Sequence, residues 1–307
     1  MADMDERLAV VAAGHGGVLS SADAARVDVQ PVRLDALVRS GRLVRVRRGA
    51  YVLREAYDAA DPQERYRLRT KAVLRTRPPV DAASHHAGVL LHGVDTYDVD
   101  LAVVDVVARV KAPRVRSGLR THPGAGLTAD RANGWNVLHL PTALCQVAGG
   151  SGIVAAVAST DDALPDGRCT VEQLHDAVGL VPEHHRGLAE RAIALTDPAG
   201  ESVGETRTRL LLRDLGFTVA SQRTLVRERT FVARVDFLVD GVVVVEFDGL
   251  VKYAGQNGRA ALAAEKARES AVVDLGYEVT AGPPTQEFGR HAGAAACRPV
   301  LRVLWIR

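Results

Sequence analysis

The stretch Arg234-Val-Asp236-Phe-Leu-Val-Asp-Gly-Val-Val-Val-Val-Glu246-Phe-Asp248-Gly249 sets three carboxylates, Asp236, Glu246 and Asp248, on two consecutive apolar runs, with Lys252 close behind. Phe231 to Val239 and Val242 to Asp248 are rich in β-branched and aromatic residues, and the Asp240-Gly241 pair between them marks a hairpin. Runs this apolar predict central, buried strands. A carboxylate left alone in such a place costs several kcal/mol or shifts its pKa until it is neutral. A hard divalent cation relieves that cost, because Mg²⁺ takes one or two protein carboxylates, keeps several waters and completes its shell on a phosphate oxygen. Glu246 and Asp248 are two apart, so they share a strand face.

For Asp236 to reach that face the turn must have the right parity. A two-residue turn at Asp240-Gly241 pairs Val235 with Glu246 and sends Asp236 to the opposite face. A three-residue loop or a bulge restores the parity and sets Asp236 opposite Glu246. The metal-site reading therefore predicts such a loop, and a regular two-residue hairpin would exclude the site.

These residues resemble the small endonuclease-like domains (DUF559 type) related to the very-short-patch repair nucleases, within the restriction-endonuclease-like superfamily, over roughly the last third of the chain. The likeness runs through Glu205 in Gly204-Glu-Thr-Arg-Thr-Arg209, then Asp236, then Glu246-Phe-Asp248-Gly249 followed by Lys252-Tyr253. It continues through Glu265, Lys266, Arg268 and Glu269 into Leu275 to Val279. The resemblance implies a Mg²⁺-dependent (or Mn²⁺-dependent) endonuclease. Asp236, Glu246 and Asp248 would hold the metal, Glu205 would be an outer ligand or water base, and Lys252 or Lys266 would balance charge on the phosphate. The superfamily's acidic-x-Lys triplet is broken here, because Asp248 stands where a lysine is expected. Taken alone, Glu265 to Glu269 reads as a solvated helix face.

The N-terminal end carries a different pattern. Met4 to Ala13 predicts an amphipathic helix, broken by Gly14 to Gly17. Ser20-Ser21-Ala-Asp23 predicts the cap of a short second helix ending near Val27, and Gln30 to Ser40 a third helix that stops at Gly41. Leu43 to Leu53 alternates as a hairpin with Gly49 near its turn. Three helices followed by a basic β-wing describe a winged helix-turn-helix. Arg33, Arg39, Arg42, Arg45, Arg47 and Arg48 suit phosphate contacts that position a reading helix in the major groove.

Val18-Leu-Ser-Ser-Ala-Asp-Ala-Ala25 and Gly41-Arg-Leu-Val-Arg-Val-Arg-Arg-Gly-Ala-Tyr-Val52 resemble the winged-helix domain of AbiEi-type antitoxins from abortive-infection toxin–antitoxin systems. That resemblance implies binding to double-stranded DNA, autoregulation and a toxin partner.

Composition frames both ends. With 39 basic and 37 acidic residues the net charge is only +2, so affinity for nucleic acid must come from local asymmetry. Cys145, Cys169 and Cys297 are odd in number and far apart, which favours reduced thiols over a disulfide framework or zinc site. The acidic start lacks the charged region of a signal peptide, and no apolar run approaches the ~20 residues needed to span a bilayer, so a cytoplasmic protein is expected.

Between the ends, Tyr66 to Thr76, Thr142 to Val147 and Val171 to Ala177 predict helices, while Val99 to Val115 and Leu119 to Pro123 predict strands. The pairs His85-His86 and His184-His185 lack chelating spacing, since adjacent side chains diverge. His92 could share a helical face with His85, but no ligand stands near it in sequence. Gly14-His-Gly-Gly17 lacks the preceding strand that a dinucleotide site requires.

The expected architecture is an α/β multidomain chain. Residues 1–56 form a winged helix-turn-helix, 57–199 a mixed α/β connector, and 200–307 a restriction-endonuclease-like α/β/α domain, with the boundary near Thr196 to Ser202. The expected function is a DNA-binding protein with a metal-dependent endonuclease domain. The alternative is an AbiEi-like repressor whose nuclease-like domain is a non-catalytic platform. A nuclease acting on RNA is a third reading, and oligomeric state is not legible.

Overall fold

The computed structural model describes residues 2–246 and 258–281. The chain divides into two compact units, Met1–Ala194 and Leu195–Arg307, the division falling just ahead of the expected boundary segment.

The first unit opens with α1 (Ala2–Ala13), β1 (Val18–Ser20), α2 (Ser21–Ala25), α3 (Pro31–Arg39), β2 (Leu43–Arg47) and β3 (Ala50–Leu53); the three helices and the hairpin come in the expected order, and β1 is a strand the sequence reading did not include. The three strands form an antiparallel sheet in the order β1-β3-β2. Ser20 caps α2 in a reciprocal box: its hydroxyl accepts from the Asp23 N–H at 3.1 Å, while its own N–H donates to the Asp23 carboxylate at 2.9 Å. One face of the sheet and the three helices share a core of Leu8, Leu19, Val29, Leu34, Leu37, Leu43 and Tyr51.

The chain continues through α4 (Arg54–Ala59) and α5 (Pro62–Leu74). α5 starts cleanly because Pro62 sits in its first turn and the Asp61 carboxylate accepts the Glu64 N–H at 2.9 Å. Its Leu68 and Ala72 pack with Val18, Ala50 and Val52, and Val44, Val46 and Trp135 close in around them. Both faces of the small sheet are thus covered, and residues 1–56 share one packed body with α5 and the residues around Trp135.

Next come β4 (Ala82–Ala83), α6 (His85–Leu91), β5 (Val104–Ala108), β6 (Arg114–Arg116), β7 (Leu119–Pro123), β8 (Ala129–Ala132) and β9 (Trp135–Leu138). They build a six-stranded mixed sheet in the order β6-β7-β5-β4-β9-β8, with β5·β7 and β4·β9 parallel. The expected strand from Val99 to Val115 is in fact two, β5 and β6, parted by a turn-rich segment at Arg109 to Pro113 where Pro113 has no N–H to give a ladder. Helices α7 (Leu140–Ser151), α8 (Ile153–Ala163), α9 (Val171–Val178) and α10 (Glu183–Leu195) complete this part. Thr170 and Gln173 form a capping box at α9. Cys145 and Cys169 are buried free thiols, and burial pushes them up to about 12 and about 11, which makes them unreactive. Cys297 lies outside the described residues.

The second unit holds α11 (Val203–Asp214), β10 (Val219–Arg227), β11 (Thr230–Val239), β12 (Val243–Glu246), α12 (Gly258–Val273) and β13 (Glu278–Ala281). Its sheet order is β10-β11-β12-β13, antiparallel except for the last pair, so the apolar run of β11 is central as expected. Val239 pairs with Val243, which leaves a three-residue loop of Asp240, Gly241 and Val242. Asp240 and Gly241 both take positive φ, 50° and 74°, and Gly241 does so without steric cost. The register continues as Leu238 with Val244 and Phe237 with Val245, so the next position sets Asp236 opposite Glu246. This is the parity the sequence required.

Among the described residues no helix is long and apolar enough to cross a membrane.

Candidate nucleic-acid interface

α3 is nine residues long and buries Leu34 and Leu37, which leaves Pro31, Val32, Asp35 and Arg39 on its outer side. Val32 is 78% exposed, an unusual setting for a β-branched residue on a short helix. An apolar contact of this kind suits a thymine methyl in the major groove. Arg39 at the end of α3, and Arg42, Arg45 and Arg48 in the residues that follow, are all exposed. Arg45 forms an ion pair with Asp35 and lies over the Tyr51 ring, 5.7 Å from its centroid. Its guanidinium is thereby held beside α3. Two of the expected phosphate contacts are placed differently. Arg33 and Arg47 each carry a buried guanidinium nitrogen, Nε in Arg33 and an Nη in Arg47. Arg47 faces Arg77 and Arg116, and burial, then those two cations, lower its pKa.

Asp23 organises this segment from beneath. It is almost wholly buried, and besides capping α2 it accepts a two-pronged contact from Arg75, at the end of α5, with Nε at 2.9 Å. Burial raises its pKa, but the Arg75 and Ser20 hydrogen bonds outweigh that and hold it at about 2. Nothing in the sequence indicates this partner, 52 residues away.

In the second unit, Asp236 stands opposite Glu246 by register, and Gln222 occupies the corresponding position on β10. Gln222 has φ +49° and donates from Nε2 to Glu205 Oε2 at 2.9 Å. Glu205, near the start of α11, also accepts from the Ser202 hydroxyl at 2.8 Å and the Glu201 N–H at 3.2 Å. Its carboxylate is thus engaged in capping its own helix. Glu246 is gripped by Arg268 of α12 through two contacts of 2.9 Å, one to each carboxylate oxygen. Arg268 therefore corrects the reading of Glu265 to Glu269 as a solvated face, since it turns inward while Lys266 and Glu269 are exposed. Asp248 and Lys252 lie outside the described residues.

The sequence also missed Arg209, the largest fully buried side chain among the described residues, which donates to the Leu195 carbonyl at 2.6 Å and lies 3.8 Å from Asp197. The Arg209 guanidinium fastens the start of this unit to α11.

The histidines behave differently from their spacing. Neither adjacent pair chelates as a pair, but His85 meets two residues far away in sequence, His122 and Asp105. Burial, then the neighbouring His122, lowers His85 to about 3, so its ring is neutral at pH 7. His92 is committed to the Leu138 carbonyl at 2.8 Å.

Residues 6–54 match the model of a family described as a transcriptional regulator, the AbiEi antitoxin. The N-terminal segment is AbiEi-like. The match covers the span from α1 to β3 and supports reading that segment as the domain of a DNA-binding regulator, with α3 as its outward helix. No curated protein matches the chain.

Proposed function

We propose that this protein is a DNA-binding transcriptional regulator of the antitoxin type, which docks α3 in the major groove and uses Arg39, Arg42, Arg45 and Arg48 on the flanking phosphates. The observation that supports it is the exposed face of α3, with Arg39 on it and Arg45 held beside it through Asp35, inside the AbiEi-like segment. Phosphate contacts fix position, and the exposed Val32 supplies an apolar base-edge contact. A toxin encoded beside it is the expected protein partner, and its own promoter the expected target. The test is binding to duplex DNA from upstream of its own coding region against an unrelated duplex at the same salt concentration. Preference of at least about a thousandfold is expected of a specific regulator. Equal affinity for both duplexes would refute the proposal.

The placement of Asp236 opposite Glu246 favours a second reading, a Mg²⁺-dependent phosphodiesterase in the second unit. Against it, both Glu246 oxygens already carry the Arg268 guanidinium and Glu205 is spent on its helix cap, so the described residues do not fit a bound magnesium ion as they stand. The carboxylates here have partners, which removes the cost that a metal would have relieved. The expected result is that supercoiled plasmid, single-stranded DNA and RNA remain uncut with Mg²⁺ or Mn²⁺. Metal-dependent cutting that disappears in both Asp236→Ala and Glu246→Ala would instead establish the nuclease.

A further inference from the structure

In the six-stranded sheet, β5 lies between β4 and β7, and each of these neighbours delivers one histidine to it. Asp105 of β5 is completely buried. His122, on β7, brings Nε2 to 2.6 Å from Asp105 Oδ1. His85 comes just after β4, at the start of α6, and its ring stacks on His122 with centroids 4.1 Å apart and planes 26° from parallel. One donor atom from each of the three residues lies within 4.8 Å of the other two.

Several features around this trio are costly unless the cluster has a use. Asp105 Oδ2 has no hydrogen-bond partner among the described residues, although His86 Nε2 is 3.7 Å away. A buried, unsatisfied carboxylate oxygen is expensive. His85 has φ +50°, a left-handed conformation that costs a non-glycine residue on the order of 1 kcal/mol. That conformation is held in place: its N–H donates to the buried Gln146 Oε1 at 3.1 Å, and its Nδ1 lies 3.1 Å from Ser84 Oγ. With Nδ1 engaged, Nε2 is the nitrogen left to act. The last turn of α7 is bare where the rings lie. A Cβ on Gly150 would come within 3.2 Å of His85 Cδ2, and one on Gly149 within 2.3 Å of the His185 ring.

We propose that His85, Asp105 and His122 bind one divalent transition-metal ion of the zinc class, with solvent or His185 completing its shell. Two imidazoles and one carboxylate form a donor set of intermediate softness, which suits zinc, cobalt(II), nickel(II) or iron(II) and disfavours the all-oxygen ions magnesium and calcium. The ion would take the place of the proton between His122 Nε2 and the Asp105 carboxylate. Donors around a tetrahedral ion with bonds of ~2.0–2.1 Å are about 3.4 Å apart, so the trio must adjust by little more than about 1 Å. His122 is 18% exposed and gives the ion its route in. Arg120, which reaches Asp105 Oδ1 at 3.4 Å, is a third exposed and can lengthen that contact. All three of its residues belong to the first unit.

The test is titration of the full-length protein, stripped with a chelator and dialysed, with Co²⁺ while its visible ligand-field absorption is recorded. One equivalent of bound cobalt, displaced by Zn²⁺, is expected. His122→Asn and Asp105→Asn should each weaken binding at least about tenfold, while His175→Asn, at an exposed histidine of α9, and Asp236→Asn should leave it unchanged. Because Asp105 is in the core, far-UV circular dichroism is run on its variant. Should that variant misfold, His122→Asn at its partly exposed position decides alone. Absence of a stoichiometric band in the wild type, a band unaltered in His122→Asn, or one lost only in Asp236→Asn would each overturn the proposal.

Discussion

Replacing Arg39, Arg42 and Arg48 together with alanine is expected to reduce affinity for duplex DNA on the order of a hundredfold at about 0.1 M salt, and to do so almost equally for target and unrelated sequences. All three lie on the outer surface, away from the apolar core of the segment, so their loss leaves that core intact. Each phosphate neutralised releases counterions and adds about 0.9 to the slope of log K against log salt, so removing three contacts should flatten that slope by nearly ~3. Fluorescence anisotropy over a salt series reads both quantities. Arg45 is left out because its pairing with Asp35 and its place over Tyr51 make it part of the α3 scaffold. An unchanged slope would show that the wing does not face DNA.

Asp23→Ala is expected to destabilise the first unit by roughly 3 kcal/mol, because removing one partner of a buried pair leaves the other charge uncompensated. It strips the α2 cap as well. At about 2–4 °C per kcal/mol, that is a fall of on the order of 10 °C in Tm by differential scanning calorimetry. The charge itself can be isolated with Asp23→Asn. The Asp23 pKa is about 2 in the fold against 3.8 when unfolded, so it contributes about 2 kcal/mol of stability. For a depressed carboxylate that contribution is complete above about pH 4 and disappears as the pH falls through about 2. Stability curves of the wild type and Asp23→Asn should therefore lie apart at about pH 7 and converge near about pH 2. Curves that stay parallel throughout would show that the Arg75 contact is not a stabilising ion pair.

Much of the local structure was legible because its causes lie within a few residues. Ser20 and Asp23 are three apart and close a capping box. The breaks at Gly14 to Gly17 and at Gly41 delimit α1 and α3. Asp240-Gly241 marked the hairpin, and the demand that two acidic residues share a face called for a three-residue loop or a bulge, of which the loop is the one that forms. The helix expected from Tyr66 to Thr76 gave no sign of its packing role, since its buried Tyr66, Leu68 and Ala72 are few among charged neighbours. The histidine reading stopped at the adjacent pairs for a related reason. Spacing along the chain describes one element, whereas His85, Asp105 and His122 meet because β4, β5 and β7 are neighbours in a mixed sheet.

By itself, then, the sequence determined the three helices and the wing of the N-terminal segment, its AbiEi-like character, and the parity the β11–β12 hairpin needs. These arise from caps, turns and periodicity, forces that act over one or two turns of chain. Only the tertiary structure decided which partner each buried charge has: Arg75 for Asp23, Arg268 for Glu246, His122 for Asp105. A carboxylate taken out of water must find a cation, a donor or a metal. Which of these it finds depends on sheet order and helix packing across 17 to 52 residues of intervening chain, and no local pattern encodes that choice.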